Sequence, residues 1–262
     1  MQIPPEAEIF LYSTSLAMGR MMPVFVIAPF LGGSMLPQPI RNAIVMSLVV
    51  FLYPLLQTQM PAGLSVSSAV FVGLMLKEAA IGTLIGFLIS VPFWIASSVG
   101  YMVDNQRGAT MADAMDPLSG ESSSPLGNMV FQTLVMAFVV SGGLAVFLGV
   151  LLDSYRVWPA FSFIPNLGSP GLAALFRHQL DLLVRFVLLL SAPTLIICFL
   201  TDFGMGLMNR IAPQLNVFFM SMPIKSGLSM ALLIAYWGAL LAVLKSRIIE
   251  ELNVLRLLDR LL

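Results

Sequence analysis

The chain contains 262 residues, of which 58% are hydrophobic and 10% are charged, and its mean hydropathy is +0.94. Soluble domains carry about 25% charged residues and need a wettable surface, so this composition excludes a soluble globular protein and predicts an integral membrane protein. Thirteen basic and thirteen acidic residues give a formal net charge of zero, which argues against a nucleic-acid-binding protein because such proteins carry a basic surface.

Six apolar blocks of roughly membrane-spanning length follow one another, at residues 9–31, 40–56, 66–103, 129–152, 180–200 and 215–244. No Lys or Arg precedes Arg20, so the first block is expected to be retained rather than removed as a signal peptide. The third block contains Lys77, Glu78 and Pro92 and is too long for one straight crossing, which predicts either a kinked long helix or a hairpin. Together the blocks predict an all-α membrane protein that forms a single domain over residues 1–262.

Several of these blocks contain charged side chains. Each charge would cost about 2.5–3.5 kcal/mol at the centre of a bilayer, so most of them are expected to face protein or water. For Lys77, Glu78 and Lys225 we favour protein-facing positions over helix ends that reach the membrane surface, whereas both alternatives stay open for Arg185. Asp181 lies four residues before Arg185 and can pair with it on one helix face. Lys77 and Glu78 are adjacent and are expected to point in different directions, so that each needs another partner.

Two segments with small residues favour close contacts between helices. The first is GTLIG at residues 82–86, and the second is SGG at residues 141–143 together with Gly149. Neither segment indicates whether the neighbouring helix belongs to this chain or to another one.

The stretch DNQRGATMADAMDPLSGESSSPLGN, residues 104–128, separates the third block from the fourth. Its glycines and prolines predict a loop. One interpretation is a solvated connection between membrane segments. The other is a loop folded into a cavity, where methionines fill irregular gaps, since non-helical backbone at membrane depth must be buried in protein or line a wet cavity.

The stretch NRIAPQLNVFFMSMPIKS, residues 209–226, predicts a helix, a turn and a second helix. Pro213 and the asparagines interrupt the first helix, and Pro223 is expected to break or kink the second one close to Lys225. In a packed assembly, Arg210 and Lys225 would meet carbonyls or carboxylates of neighbouring chains. The alternative is a simple hairpin turn with a lysine that reaches the membrane surface.

The C-terminal part of the chain carries a charge signal and an apolar stripe. Six Lys and Arg residues on one side of the blocks, against three on the other, predict a cytoplasmic C-terminus. Residues 245–262 predict an amphipathic helix with one apolar stripe, formed by Ile248, Leu252, Leu255, Leu258 and Leu262. This helix either lies on the membrane surface, docks on a partner or continues the last apolar helix.

No enzyme, metal or cofactor is predicted. The single histidine, His178, and the single cysteine, Cys198, lie far apart in sequence and give no familiar metal-ligand spacing. HExxH, GxSxG and glycine-rich phosphate motifs are absent from the sequence. A small-molecule or ion transporter is an alternative, but the inverted repeats typical of such folds are not visible. An intramembrane enzyme is a second alternative, opposed by the missing nucleophile–base pair.

Two segments resemble a known family. GLMNRIAPQLNVFFMSMPIKSGLSM, residues 206–230, closely resembles the signature region of the SctT/FliR family, the export-apparatus membrane proteins of type III secretion systems and flagella. ADAMDPLSGESSSPLGN, residues 112–128, is similar to the Asp-Pro-containing loop of that family. The serine-rich loop and the MPIKS segment look more like the injectisome branch, SctT, than the flagellar one.

The resemblance implies a component of an export gate in the bacterial inner membrane. One copy would assemble with SctR-like and SctS-like subunits, and a SctU-like switch protein would wrap the cytoplasmic entrance. The family's bent helical hairpins form a helical channel for unfolded polypeptide substrates, and much of this core is raised from the membrane lipid toward the periplasm. No bond is made or broken, and other components supply the driving energy.

The resemblance also implies roles for particular residues. The loop at residues 104–128 would be the plug that narrows the closed channel, with Asp104, Arg107, Met111, Met115, Asp116, Pro117 and Gly120. The hairpin would lie at subunit contacts, with Asn209, Arg210, Pro213, Gln214, Asn216, Pro223 and Lys225.

Overall fold

A computed structural model describes residues 5–32, 35–59, 68–109, 124–162, 170–212, 214 and 216–257. They form seven α-helices: α1 (Pro5–Ile27), α2 (Gln38–Gln59), α3 (Ser68–Arg107), α4 (Pro125–Val140), α5 (Gly143–Val157), α6 (Pro170–Ile211) and α7 (Val217–Leu257). No strand occurs in these ranges, which confirms the all-α prediction. Five helices are long and apolar enough to cross a membrane, and α4 with α5 makes a sixth span if the two are counted as one broken span.

The third apolar block is one continuous helix, so the hairpin alternative was wrong. Helix α3 has 40 residues and contains Pro92. Helix α7 likewise contains Pro223. Of the break or kink predicted there, the break is therefore wrong. A membrane environment favours this outcome, because every broken backbone hydrogen bond there lacks water as a substitute partner.

The fourth apolar block is interrupted instead. Helix α4 ends at the C-cap Ser141, whose N–H donates to the carbonyl oxygen of Ala137 over 3.1 Å. Gly142 follows with φ of 77°, a left-handed backbone conformation that side chains disfavour. A Cβ atom at Gly142 or Gly149 would meet no described atom within 4 Å. Neither glycine packs closely within the described part of this chain, and a close contact with another chain stays a prediction.

The chain divides into two compact units. Unit 1 comprises Met1–Val91, Gly142–Gln179 and Ile249–Leu262, and unit 2 comprises Pro92–Ser141 and Leu180–Ile248. Three long helices, α3, α6 and α7, therefore contribute residues to both units. The division of α3 falls at Pro92.

In unit 1, helix α1 packs closely on the first part of α3. A Cβ atom at Gly82 would collide with the carbonyl oxygen of Arg20, and one at Gly86 would lie 3.2 Å from Val24 Cα and Ile27 Cβ. The GTLIG segment thus contacts α1 of the same chain. On α3, the hydroxyl of Ser90 donates to the carbonyl oxygen of Ile27 over 3.2 Å.

In unit 2, the second part of α3 packs on α4, and α6 pairs with α7. The rings of Phe93 and Phe138 meet edge to face with centroids 5.5 Å apart. Cys198 is buried on α6, with its sulfur 3.1 Å from the hydroxyl of Ser229 on α7. Helix α7 continues to Leu257, which agrees with the alternative that residues 245–257 prolong the last apolar helix. Residues 258–262 lie outside the described part of the chain.

Candidate functional site

The predicted plug loop leaves α3 and enters α4 at a buried polar cluster in unit 2, here called the α3–α4 joint and consisting of Asp104, Arg107, Ser124 and Leu126. The Asp104 side chain is fully buried. Its Oδ1 accepts hydrogen bonds from Nε of Arg107 over 2.7 Å and lies 2.7 Å from Nη2 of the same guanidinium. Its Oδ2 accepts from the Ser124 hydroxyl over 2.6 Å and from the Leu126 N–H over 2.9 Å. One carboxylate therefore holds the end of α3 and the start of α4.

The sequence around Ser124 explains why α4 begins there. Ser124 is the N-cap, with Pro125 following at the first helical position, where a missing N–H has no cost. The Ser124 hydroxyl oxygen accepts from the Gly127 N–H over 2.9 Å. The N–H groups of Leu126 and Gly127, which have no partner within the helix, are thus satisfied by Asp104 and Ser124 respectively. The positive end of the helix dipole also favours the Asp104 charge.

The joint is tied to α7 as well. Nη1 of Arg107 donates to the hydroxyl of Ser226 over 3.0 Å. Gly108 follows with φ of 83°, and a Cβ atom there would lie 3.4 Å from the Met222 side chain. Met222 and Ser226 are one helical turn apart, so both contacts fall on one face of α7.

The structure shortens the predicted plug loop. Asp104 and Arg107 belong to the last turn of α3 rather than to a loop, and Pro125 already belongs to α4. Of the residues between these two helices, the structure describes only 108, 109 and 124. The other predicted plug residues, Met111, Met115, Asp116, Pro117 and Gly120, lie outside the described residues.

The predicted subunit-contact residues lie at the α6–α7 hairpin, which has the helix, turn and helix expected from the sequence. Asn209 and Arg210 are exposed at the end of α6, Gln214 and Asn216 are exposed in the turn, and Pro223 is exposed on α7. Pro213 lies outside the described residues.

Lys225 is buried on α7 and pairs within the chain. Its ammonium lies 2.9 Å from Oδ1 and 3.2 Å from Oδ2 of Asp202 on α6. The Asp202 side chain is 47% exposed. The cation predicted to meet a neighbouring chain is thus already paired with an acid of its own chain.

A second polar cluster occupies the core of unit 1 and joins α1, α3 and α5. The Arg20 side chain is completely buried and contacts Glu78 through two hydrogen bonds of 2.7 and 2.9 Å. Nη1 of Arg20 donates to the Ser154 hydroxyl over 3.0 Å, and Nη2, which also binds Glu78, donates to the carbonyl oxygen of Trp158 over 2.8 Å. The Tyr155 ring lies 4.0 Å from the guanidinium carbon, a favourable cation–π geometry.

Lys77 completes this cluster. Its ammonium lies 2.6 Å from Oε1 of Glu78, which corrects the expectation that these adjacent side chains point apart. It also donates to three carbonyl oxygens that follow α5, those of Pro159, Ala160 and Ser162, over 2.8–3.1 Å. The long lysine side chain can bend back to its neighbour because both groups converge on the same set of acceptors.

Some charged residues do not assemble into a site. Asp181 and Arg185 are exposed and form no ion pair with each other, so the predicted pairing is wrong. His178 is exposed on α6. Within the described ranges, no group of three or more His, Cys, Asp or Glu residues has an arrangement that could hold a metal ion.

Helix α6 also presents a long apolar surface, here called the α6 face. It consists of large exposed side chains spread between residues 180 and 211, namely Leu180, Val184, Leu188, Leu189, Ile196, Phe199, Leu200, Phe203, Leu207, Met208 and Ile211. Only 22% of the most apolar part of this helix is buried. Sequence hydropathy indicated the helix but not which side chains would remain uncovered.

Comparison with known proteins gives a consistent result. The chain is 39% identical over 227 residues to Yop proteins translocation protein T of Yersinia pestis, covering 86% of each chain. It is 31% identical over 229 residues to surface presentation of antigens protein SpaR of Salmonella typhimurium, covering 87% of this chain and 84% of that one. Flagellar biosynthetic protein FliR of Bacillus subtilis is 25% identical over 233 residues, with 87% and 86% covered.

The higher identity to the first two relatives agrees with the predicted injectisome branch. The family described as "Bacterial export proteins, family 1" matches residues 11–250. Nearly all of the seven-helix fold described above lies within that match, and this chain therefore belongs to the bacterial export proteins of family 1, the SctT/FliR family.

Proposed function

We propose that this protein is a subunit of a type III secretion export gate that conducts unfolded polypeptide across the bacterial inner membrane. The observation that carries the proposal is the relationship, over more than four fifths of the chain, to proteins named for translocation and flagellar biosynthesis. In this proposal, the chain forms the channel with SctR-like and SctS-like subunits, and the segment at residues 108–124 is the plug that closes it.

The length of the α6 face supports partner subunits. From residue 180 to residue 211 the face runs for about 47 Å at 1.5 Å per residue, whereas the hydrocarbon core of a bilayer is about 30 Å thick. Lipid alone would cover the whole face only at a tilt of about 50°, beyond the usual limit of about 40°. A protein partner would cover the part of this face that extends beyond the hydrocarbon core, and the half-exposed Asp202 within it is better placed against protein or water than against lipid.

In this proposal the core is partly raised out of the bilayer toward the periplasm, and the length of the α6 face supports an extension beyond the hydrocarbon core. The basic residues toward the end of the chain, Lys245 and Arg256 within α7 and Arg260 after it, support a cytoplasmic C-terminus. A SctU-like switch protein would then meet the gate on that side.

Removal of the plug segment tests the proposal. Residues 110–122 are replaced by six Gly and Ser residues, which reach about 20 Å and leave the α3–α4 joint intact. The variant is purified with its co-expressed partner subunits, native mass spectrometry checks the composition of the complex, and potassium efflux is measured from liposomes that contain it. We expect an efflux at least about tenfold faster than with the unaltered complex, since a plug holds a channel shut only while it is present.

The matched control replaces residues 61–66, in the connection between α2 and α3, with the same linker. This control should leave the liposomes tight. A complex of normal composition that remains tight without residues 110–122 would contradict the plug, and a chain that purifies as a monomer from cells expressing the partners would contradict the gate itself.

A further inference from the structure

We propose that Asp104 is a positioning residue that keeps the end of α3 and the start of α4 together, and that Arg107 extends this restraint to α7. The inference rests on the proposed function, because it assigns the residues that hold the base of the predicted plug.

The bonding of Asp104 is the first argument. Its carboxylate is excluded from solvent and accepts from donors on two helices that are about twenty residues apart in sequence. Hydrogen bonds to a charged group are shorter and stronger than neutral ones, and the distances of 2.6–2.9 Å fit that class. Separating α3 from α4 would leave a buried carboxylate without donors, which is costly.

Backbone packing at the joint is the second argument. A Cβ atom at Gly100 on α3 would collide with the backbone of Leu126 and Gly127 on α4. One at Gly127 would lie 2.7 Å from the Ser124 hydroxyl and 3.0 Å from the carbonyl oxygen of Ser97. The two backbones thus touch directly at the level of Asp104, so neither helix can slide without breaking this contact.

The contact of Arg107 with Ser226 is the third argument. Lys225, the neighbour of Ser226, binds Asp202 on α6. The joint is therefore connected to both helices of the α6–α7 hairpin in unit 2. Two charge-assisted contacts at adjacent residues of α7 thus link this helix to the joint on one side and to α6 on the other.

Asp104→Asn tests the inference, because it keeps the size of the side chain but removes the charge. We expect potassium efflux from liposomes containing the whole complex to rise about tenfold or more. The loss of one charge-assisted hydrogen bond raises the population of a separated joint by about that factor, and a separated joint no longer holds the base of the plug. Asp153→Asn is the matched control. Asp153 pairs with Arg156 at the same spacing of three residues, but those side chains are 65% and 71% exposed, so efflux should not change.

A distance measurement reports on the joint directly. Cysteines for spin labels are introduced at Gln106 on α3 and Asn128 on α4, both of which are exposed, in a chain whose single native cysteine is buried. The unaltered joint should give a narrow distance distribution. Asp104→Asn and Ser124→Ala should broaden it, and Ser124→Thr should be narrower than Ser124→Ala because it retains the hydroxyl.

The two measurements separate the possible failures. Suppose that, in complexes of normal composition, deletion of residues 110–122 causes efflux but Asp104→Asn does not. The inference about Asp104 is then wrong, and the proposal of a plug is retained. If the deletion causes no efflux, the proposed function fails. A distribution that stays narrow in Asp104→Asn overturns the inference whatever the efflux shows.

Discussion

Three buried charged residues in unit 1 share one site, where Glu78 is the counter-ion of two cations. Arg20 and Lys77 are both paired with this carboxylate, and each also uses carbonyl oxygens at the end of α5. Helix C-termini favour cations because of their partial negative charge, which accounts for a net positive cluster inside an apolar chain. Removing one member of a buried ion pair destabilises a protein far more than replacing the whole pair by apolar residues.

Glu78→Gln leaves two cations in the core without a counter-ion. We expect it to destabilise unit 1 by about 3–5 kcal/mol, seen as a lower midpoint of thermal unfolding and a lower yield of the assembled complex. The exposed pair of Asp153 and Arg156 supplies the control, since Asp153→Asn should cost about 1 kcal/mol or less. Equal midpoints for Glu78→Gln and the unaltered protein would show that the cluster contributes no stability.

Sequence reasoning indicated that charges such as Lys77 and Glu78 need partners, because charge in an apolar block is costly. It could not identify the partners, since Arg20 precedes Glu78 by 58 residues and Ser154 follows Arg20 by 134. The same limit applies to Asp104, whose donors Ser124 and Leu126 follow it across the loop. Serine followed by proline at the start of an apolar run was the one available signal for the N-cap.

At the scale of elements, α1 and α3 approach each other closely because Gly82 has no side chain. The carbonyl oxygen of Arg20 occupies the space that a Cβ atom would need. This close approach also brings the Arg20 side chain within reach of Glu78, one helical turn before Gly82. The glycine thus serves packing and ion pairing together.

Gly82→Ala is expected to force α1 away from α3 and to destabilise the protein by about 1–3 kcal/mol, as over-packing usually does. Gly149→Ala on α5 is the matched control. No described atom lies within 4 Å of its added Cβ, and alanine favours helix by about 1 kcal/mol relative to glycine. Thermal unfolding of both variants checks the prediction, and a neutral Gly82→Ala would mean that the two helices can separate without loss.

Hydropathy located the helices well but not their interruptions. The break at Gly142 was missed because Val139, Val140 and Leu144 keep both sides apolar, so the signal is unchanged across it. The hairpin considered for the block with Pro92 and the break considered at Pro223 are both absent, because each proline lies inside a continuous helix. Apolar periodicity reports on burial, whereas a break depends on backbone conformation, and only glycine or proline hints at it.

At the scale of the whole molecule, the α6 face allows the proposed contact with partner subunits to be tested. Cysteines are introduced one at a time at Leu180, Leu188, Ile196, Phe203 and Ile211, all of which are exposed. Without partner subunits, a membrane-impermeant maleimide added to permeabilised cells should label the positions that lie beyond the bilayer. Co-expressed partners should protect those same positions.

Protection of all five positions in the absence of partners would mean that lipid covers the entire face, and the length argument would fail. Buried Cys198 provides the internal control, because it should remain unlabelled in both conditions.

The composition of unit 1 has a consequence for biosynthesis. This unit combines segments from the beginning, the middle and the end of the chain. Translation at about 5–20 residues per second separates the synthesis of Arg20 from that of Ser154 by several seconds to roughly half a minute. During that interval the guanidinium of α1 has neither Glu78 nor the α5 carbonyls to bind at first, and water or the insertion machinery must stabilise it. Helix α1 therefore leaves the ribosome before α3 and α5 but reaches its final environment only after they are made.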